Sequence, residues 1–507
     1  MRVNTLDNNF ERRVGAVMSL VTTIVNAALT LLYVPLLLLF LSGSEYGVYE
    51  LIGSFIGYMS ILDLGFSTTL TRYCVRERTK GDKAERNLLA VAAIVYAVIT
   101  VIAVGIGIGI NCLLDGMLSS GLTASELTLA HQMMVLVIIN TAVILPGNYF
   151  LAVVNSHERF IFSRLLLLCR YVLQFFGVVS FLMLGTGATG AVLAQVVANA
   201  STVLISIVYC CKCLSIRPRL YCFDASLVKE LFSYSCLILL GLIFNQVFLK
   251  TGQVILGAVA GSFVVGVYSL SCKIVSLYIQ VANAVSTVYL PKLTQLCISP
   301  INKDKEINAI FFKVGKIQSI LVWGVFCAFV VLGSDFIFLW AGPKYGQVYP
   351  LAIILMLGFS IDLVQNLGIQ LLQARNRLLF RSIVLSIVCI LIVFLGVIGA
   401  PMYGAYACAV TTGVAMFIAT GPIMNVYYAK IENIWIASFW KELIPEIVCQ
   451  ACVALISICV FSSFTSISAS IFLLKVVIFL AIFVLAHCIF YHRKAAGLFS
   501  HLKLRKS

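Results

Sequence analysis

Six polar side chains share one stripe of an otherwise apolar stretch near residues 264–290: Ser269, Lys273, Ser276, Gln280, Asn283 and Thr287. Their spacing of 4, 3, 4, 3 and 4 places them on one face of an α-helix. A lysine inside a membrane-crossing helix is costly unless it faces water or a partner. Such a stripe has the chemistry of a wetted wall that attracts an anion. Comparable faces occur elsewhere. The stretch near 14–41 carries Ser19, Thr23, Asn26, Thr30 and Tyr33. The one near 231–259 carries Gln246, Lys250 and Gln253, and the one near 187–211 carries Gln195, Asn199 and Thr202. Arg170 stands inside the stretch near 161–184, with Gln174 one turn on.

These residues define an expected cationic, hydrated cavity for an anionic substrate. Its candidate binding residues are Arg170, Lys250, Lys273, Gln246, Gln280 and Asn26. Asp63, Asp362 and Glu50 are the candidate charge partners or coupling carboxylates. A plainer reading competes with this one. Ser, Thr, Asn and Gln also join helices inside membranes by hydrogen bonding, and each basic residue could simply pair with Asp63 or Asp362. Lys475 lies outside the repeat described below and reads as lipid-facing or snorkelling.

No enzyme motif stands out: there is no phosphate-binding P-loop, HExxH or GxSxG. His131, His157, His487, His492 and His501 lie at span ends, in loops or in the tail. The 17 cysteines are scattered through apolar segments, where cysteine acts as a small hydrophobe. Cys210, Cys211, Cys213 and Cys222 cluster at one helix end, but no second CxxC or nearby histidine completes a metal site. The expectation is a transporter without metal or organic cofactor. An H+ or Na+ gradient, the membrane potential or the substrate gradient would supply its energy.

The elements that must carry these residues follow from composition. Hydrophobic residues make up 61% of the 507 and charged residues 11%, with a mean hydropathy of +1.06. A soluble domain has about 25% charged residues, so the chain reads as an all-α polytopic membrane protein. With about 20 apolar residues per span, 14 spans are expected. They lie near 14–41, 47–70, 88–114, 127–154, 161–184, 187–211, 231–259, 264–290, 311–333, 349–373, 378–399, 402–428, 443–465 and 469–491. With both termini placed in the cytoplasm, the tails, loops and adjoining span ends on that side hold 30 of the 35 basic residues, as the positive-inside rule asks. The net charge of +15 therefore reads as membrane topology and not as nucleic-acid binding. No cleavable leader is expected: the polar start, with Arg2, Arg12 and Arg13, feeds a full-length span.

A fixed-period self-match adds organisation. Shifted by 219 positions, Gly266–Thr287 lies over Gly47–Thr68, with Gly47/Gly266, Val48/Val267, Tyr49/Tyr268, Leu51/Leu270, Ser67/Ser286 and Thr68/Thr287 identical. Val154–Phe160 lies over Ala374–Phe380 less sharply. Six spans separate the copies, so the halves enter the membrane in the same sense, as parallel repeats around a midplane site do. The expected lobes are residues 1–211 and 231–430, joined by a cytoplasmic linker at 212–230, with spans 13–14 and the tail at 431–507. Pro35, Pro146-Gly147 and Gly421-Pro422 fall inside spans and predict kinks there.

The run YGVY, a span ending in DLGFSTTLTRY, the basic loop after it and the echo GVYSL in span 8 resemble polysaccharide flippases of the Wzx type. So does the division of the spans as six, six and two. These proteins belong to the multidrug/oligosaccharidyl-lipid/polysaccharide (MOP) exporter superfamily, whose fold includes the MATE transporters. The resemblance implies movement of an undecaprenyl-diphosphate-linked oligosaccharide from the cytoplasmic to the outer leaflet of a bacterial inner membrane, for O-antigen, lipopolysaccharide or related surface polysaccharide. It also implies membrane lipid as surroundings, a polysaccharide polymerase and a chain-length regulator as partners, and a monomer as sufficient. Family members often carry an acidic residue in the middle of span 7, where this chain has Lys250. Two other readings stand beside the flippase: an ion-coupled multidrug or metabolite antiporter of the same superfamily, and a membrane-embedded transferase or polymerase. The first would favour an acidic cavity for cationic drugs. The second would favour a large outer loop or a carboxylate cluster.

Overall fold

The computed structural model describes residues 5–214, 216, 218–222, 224–298, 303–464 and 467–504. The described residues form helices joined by short turns, with no strand among them. In chain order the α-helices are α1 (Thr5–Phe40), α2 (Gly43–Ile61), α3 (Phe66–Lys80), α4 (Asp82–Leu118), α5 (Ala124–Ser156), α6 (Phe160–Met183) and α7 (Gly187–Lys212). They continue with α8 (Ala225–Val259), α9 (Ser262–Ser286), α10 (Leu290–Ile298), α11 (Asp304–Trp340), α12 (Val348–Val364), α13 (Leu367–Ala374) and α14 (Leu379–Tyr403). The last four are α15 (Ala405–Ile418), α16 (Met424–Lys430), α17 (Ile436–Phe461) and α18 (Ala469–Leu504).

Twelve of the described helical segments are long and apolar enough to cross a membrane, and the bent pair α12–α13 supplies a thirteenth. The seventh expected span is α8, whose described apolar part is Gln246–Val259. This is a multi-pass membrane protein. The chain packs as two compact units, residues 1–269 and 270–507.

The repeat is visible in the helix bounds. The broken span Gly43–Lys80 has its counterpart in Ser262–Ile298, starting 219 residues later. Each is interrupted: α2 and α3 by Leu62–Gly65, α9 and α10 by a 3₁₀ turn over Thr287–Tyr289. α4 and α11 both run for 37 residues, and α6 and α14 start 219 residues apart at Phe160 and Leu379. One sequence pairing needs correction. The turns after α5 and α13 each place one non-glycine residue in the left-handed region, Glu158 (φ 59°) and Asn376 (φ 54°). These lie 218 positions apart, so Arg159 corresponds to Arg377, and the register read from 154–160 over 374–380 is two residues off.

In the first unit, the turns before α2, α5, α7 and α9 are fixed by side-chain caps and contacts. Ser42 accepts the amide of Glu45 at the start of α2, and Glu45 accepts the amide of Ala188 at the start of α7. Thr123 and Glu126 form a reciprocal capping box on α5, satisfying two helix-end donors at once. Glu126 also accepts from the Ser262 hydroxyl at the start of α9. The repeated Gly-Val-Tyr has a packing reason here. A Cβ on Gly47 would stand 1.7 Å from the carbonyl oxygen of Ser262, and one on Gly266 would stand 3.5 Å from the Cα of Gly47. The two copies of the motif lie against each other.

In the second unit, α12 and α13 meet at 47° across Gln365 and Asn366. Gln365 donates to the carbonyl of Thr420, and Asn366 donates to Asn283 of α9. Gly421-Pro422 sits in a π-helical turn, Ala419–Ile423, between α15 and α16. A proline cannot close the ordinary helix bond, and the wider turn absorbs that loss. The appended helix α18 is held by Lys475, which is buried and donates to Asp335 of α11 at 2.7 Å. Lys475 therefore faces the protein interior and not lipid. Its partner lies 140 residues away in a segment that reads in sequence as an outer loop but is the last part of α11.

Candidate substrate site

Arg170 is on α6 and lines a narrow cleft walled by α5, α6 and α7, with Asn148, Asn199, Thr202 and Ser206 among the lining residues. No carboxylate pairs with it among the described residues, and its buried Nε has no hydrogen-bond partner. Its guanidinium lies 5.1 Å from the ring centre of Tyr171. A guanidinium left with open donors can take a carboxylate or phosphate in bidentate fashion. The wall is locally ordered: Asn199 donates to Asn140 at 2.8 Å, and Gly147 lets α7 come close, since a Cβ there would meet Val203 at 2.4 Å.

A second, larger cleft shares Asn148 and Leu151 with the first and runs along α3, α5 and the start of α6. Arg72, Arg164 and the single carboxylate Glu158 line it, with Ser67, Thr68, Thr71 and Asn155. Neither arginine makes an ion pair among the described residues, though Arg72 stacks over Tyr234 at 4.6 Å. Sequence reasoning assigned both arginines to cytoplasmic loops. Helical periodicity does not join them to Arg170: Arg164 lies six residues before it on α6, about 120° round the helix, and Arg72 is on α3.

Beside the Arg170 cleft, between α1 and α6, lies a third cleft, lined by Asn26, Thr30, Tyr33, Tyr171 and Gln174. Tyr33 and Tyr49 share a hydrogen bond of 3.2 Å there. Asn26 and Arg170 therefore serve neighbouring clefts on α6. Gln246 and Lys250 come together elsewhere in the first unit, both against Gly57 of α2: a Cβ on Gly57 would meet Gln246 Oε1 at 2.6 Å and Lys250 Cγ at 3.6 Å. Lys273 and Gln280 belong to the second unit, half-buried on α9. Part of the stripe they share is helix glue: Ser269, Ser276 and Thr287 bond their own helix's carbonyls, and Asn283 pairs with Asn366.

The aspartates are occupied differently from expectation. Asp63 is buried in the break between α2 and α3, just before Leu64 and Gly65 in the left-handed region. One oxygen accepts from Tyr96 and Asn148 at 3.1 Å each, and the other accepts from the amide and hydroxyl of Ser67. These donors are all neutral, and Asp63 holds the break together. Asp362 is paired with Arg381 of α14. Glu50 is buried on α2.

Residues 14–297 match the family model described as "Polysaccharide biosynthesis protein". The chain belongs to that family. The match spans more than half its length and covers all three clefts. No curated protein matches the chain by sequence. Its fold is similar to that of a structure described as lipid II flippase MurJ in an inward closed conformation, with a TM-score of 0.74 at 15% identity, over 95% of this chain and 100% of that one. It is also similar to an inward-facing multidrug resistance MATE family transporter of the MOP superfamily, with a TM-score of 0.63 at 13% identity, over 82% and 99% of the two chains. An outward-facing structure of such a transporter gives 0.59 at 13% identity, over 84% and 96%. The polysaccharide family member thus has the MOP fold.

Proposed function

We propose that the protein is a flippase that carries an undecaprenyl-diphosphate-linked oligosaccharide from the inner to the outer leaflet of a bacterial cytoplasmic membrane, by alternating access. The observation that carries this reading is Arg170: an arginine within a span, lining a cleft with asparagine and hydroxyl side chains, and paired with no carboxylate among the described residues. Leaving such a charge uncompensated in a membrane is costly. A diphosphate would supply the missing countercharge, and the asparagine and hydroxyl groups of the adjoining clefts suit a sugar. Arg72 and Arg164 extend the positive wall, and Lys250, Lys273, Gln246, Gln280 and Asn26 are assigned to the same substrate. Membership of a polysaccharide biosynthesis family supports the glycan.

The ion-coupled antiporter is the second reading, favoured by the MATE-like fold. A cationic drug would meet three arginines in these clefts, which weighs against it. The experiment is a strain lacking this chain, in which surface polysaccharide and inner-leaflet lipid-linked precursor are quantified. Lost surface glycan with accumulated precursor supports the flippase. Normal glycan with altered drug or metabolite sensitivity replaces it with the antiporter.

A further inference from the structure

The seam where α17 packs on α11 and α18 holds polar groups that the proposed transport site does not use. Two contacts fix its register. Lys316 pairs with Glu442, and Gln450 lies beside Gly324, where a Cβ would stand 3.8 Å from its Oε1. Both pairs are 126 residues apart, so the helices run parallel and Ser319 and Trp323 come level with Glu446 and Gln450. At the far end Lys475 bridges Asp335 and approaches the Phe461 ring. Phe483 of α18 also touches Gly324, which brings His487, one turn on, level with Glu446.

Along this seam Gln450 is fully buried with neither its Nε2 nor its Oε1 bonded. Ser319 and Ser457 are fully buried with unbonded hydroxyls, and the buried Trp323 Nε1 has no acceptor. Other helical serines of this unit bond back to the preceding turn, as Ser276 and Ser386 do; these two do not. Each unmade bond to a buried polar group costs about 1–3 kcal/mol, so groups like these are found with water between them. The set suits water, because it offers both donors and acceptors. Glu446, buried on the same face of α17, is the ionisable group in their midst.

We propose that this seam is an internal hydration site in which water bridges Ser319, Trp323, Gln450 and Ser457 and exchanges a proton with Glu446. The step balances simply: a hydronium in the chain gives its proton to the Glu446 carboxylate, leaving water and a neutral carboxylic acid, and the reverse step returns it. The charged neighbours are Lys316 and Glu442, paired with each other, and Asp335 and Lys475, likewise paired. His487 faces the site from α18, and Lys441 of α17 points out to the exposed side. The two ion pairs close the ends of the seam without adding net charge to it.

The test uses the full-length protein in lipid nanodiscs. Infrared difference spectra between neutral and acidic pH should show a protonated carboxyl C=O band that shifts in D2O and is lost in Glu446→Gln. Gln450→Leu should slow its exchange at least tenfold. X-ray hydroxyl-radical footprinting of the unaltered protein should modify Trp323, with the exposed Trp435 as the positive control. A titrating spectrum unchanged by Glu446→Gln overturns the proposal, as does a band that does not exchange. If that variant fails to fold, an unmodified Trp323 beside a modified Trp435 overturns it alone. None of these readouts needs a glycolipid, so their failure is distinguishable from failure of the flippase reading.

Discussion

Asp362 of α12 and Arg381 of α14 hold each other through two parallel hydrogen bonds of 2.9 Å, with both side chains largely withdrawn from solvent. Removing one member of such a pair leaves an uncompensated buried charge, at a cost of about 3–5 kcal/mol. Asp362→Asn and Arg381→Ala should each sharply lower the amount of folded protein in the membrane, measured by quantitative blotting and by thermal unfolding in detergent. The double reversal, Asp362→Arg with Arg381→Asp, should restore much of it. Asp63 should behave differently. Its donors are the neutral groups of Tyr96, Asn148 and Ser67, so no basic substitution elsewhere should rescue its reversal. Recovery of Asp63→Lys by a paired change at Arg170 would sink that assignment.

These two aspartates show where sequence reading stops. Both were legible as charges inside spans, because a carboxylate in an apolar run is conspicuous. Their partners were not legible. Arg381 lies so near the start of its span that it counts as a loop residue, although it is in α14, and the donors to Asp63 are neutral side chains that no charge marks out. Hydropathy locates a span to within a turn or so, and one turn decides whether a charge faces water or a buried neighbour. The span pattern and the repeat were legible because they rest on length and period. The clefts beside Arg170 depend on which helices touch α6, and periodicity within one helix does not carry that information.

The Gly-Val-Tyr repeat makes a graded prediction. A Cβ on Gly47 would collide with the backbone oxygen of Ser262, which cannot move aside without parting α2 from α9. Overpacking of this kind costs about 1–3 kcal/mol and sometimes more, and Gly47→Ala should fall at or above the upper end. At Gly266 the nearest atom is in the side chain of Tyr46 at 3.2 Å, so Gly266→Ala should cost clearly less. Thermal unfolding of the two variants gives the order directly. Equal losses would remove the packing explanation.

His157 gives a pH prediction. It lies in the turn between α5 and α6, where burial lowers its pKa, and the Arg78 guanidinium adds to the effect against the Val153 carbonyl and Glu85. Arg78 approaches the ring nitrogens at 3.0 Å. Arginine only donates, so that contact requires a neutral imidazole. The folded pKa lies below the unfolded value, so the stabilisation is complete above the unfolded pKa. It is lost as pH falls below about 6.5, through the folded value. Melting temperature should therefore decline more steeply on acidification in the natural protein than in His157→Asn. Parallel declines in the two would remove His157 as the cause.

The last prediction concerns export. A charge-assisted hydrogen bond contributes about 1.5–3 kcal/mol, which is roughly a 10- to 100-fold change in affinity. Arg170→Ala should weaken substrate binding by that factor and stop export at ordinary precursor levels. Protein abundance should stay normal, because Arg170 forms no ion pair that its loss would break. Arg170→Lys keeps the charge but loses the planar fork, so partial export is expected. Lys250→Ala should also stop export if its ammonium serves the same anion, and the two variants then separate two contributions to one path. Surface glycan and membrane protein level are measured together. Unchanged glycan in Arg170→Ala at normal abundance would remove the cleft between α5, α6 and α7 from the transport path. Unchanged glycan in Lys250→Ala alone would leave that cleft in place and confine Lys250 to packing against Gly57.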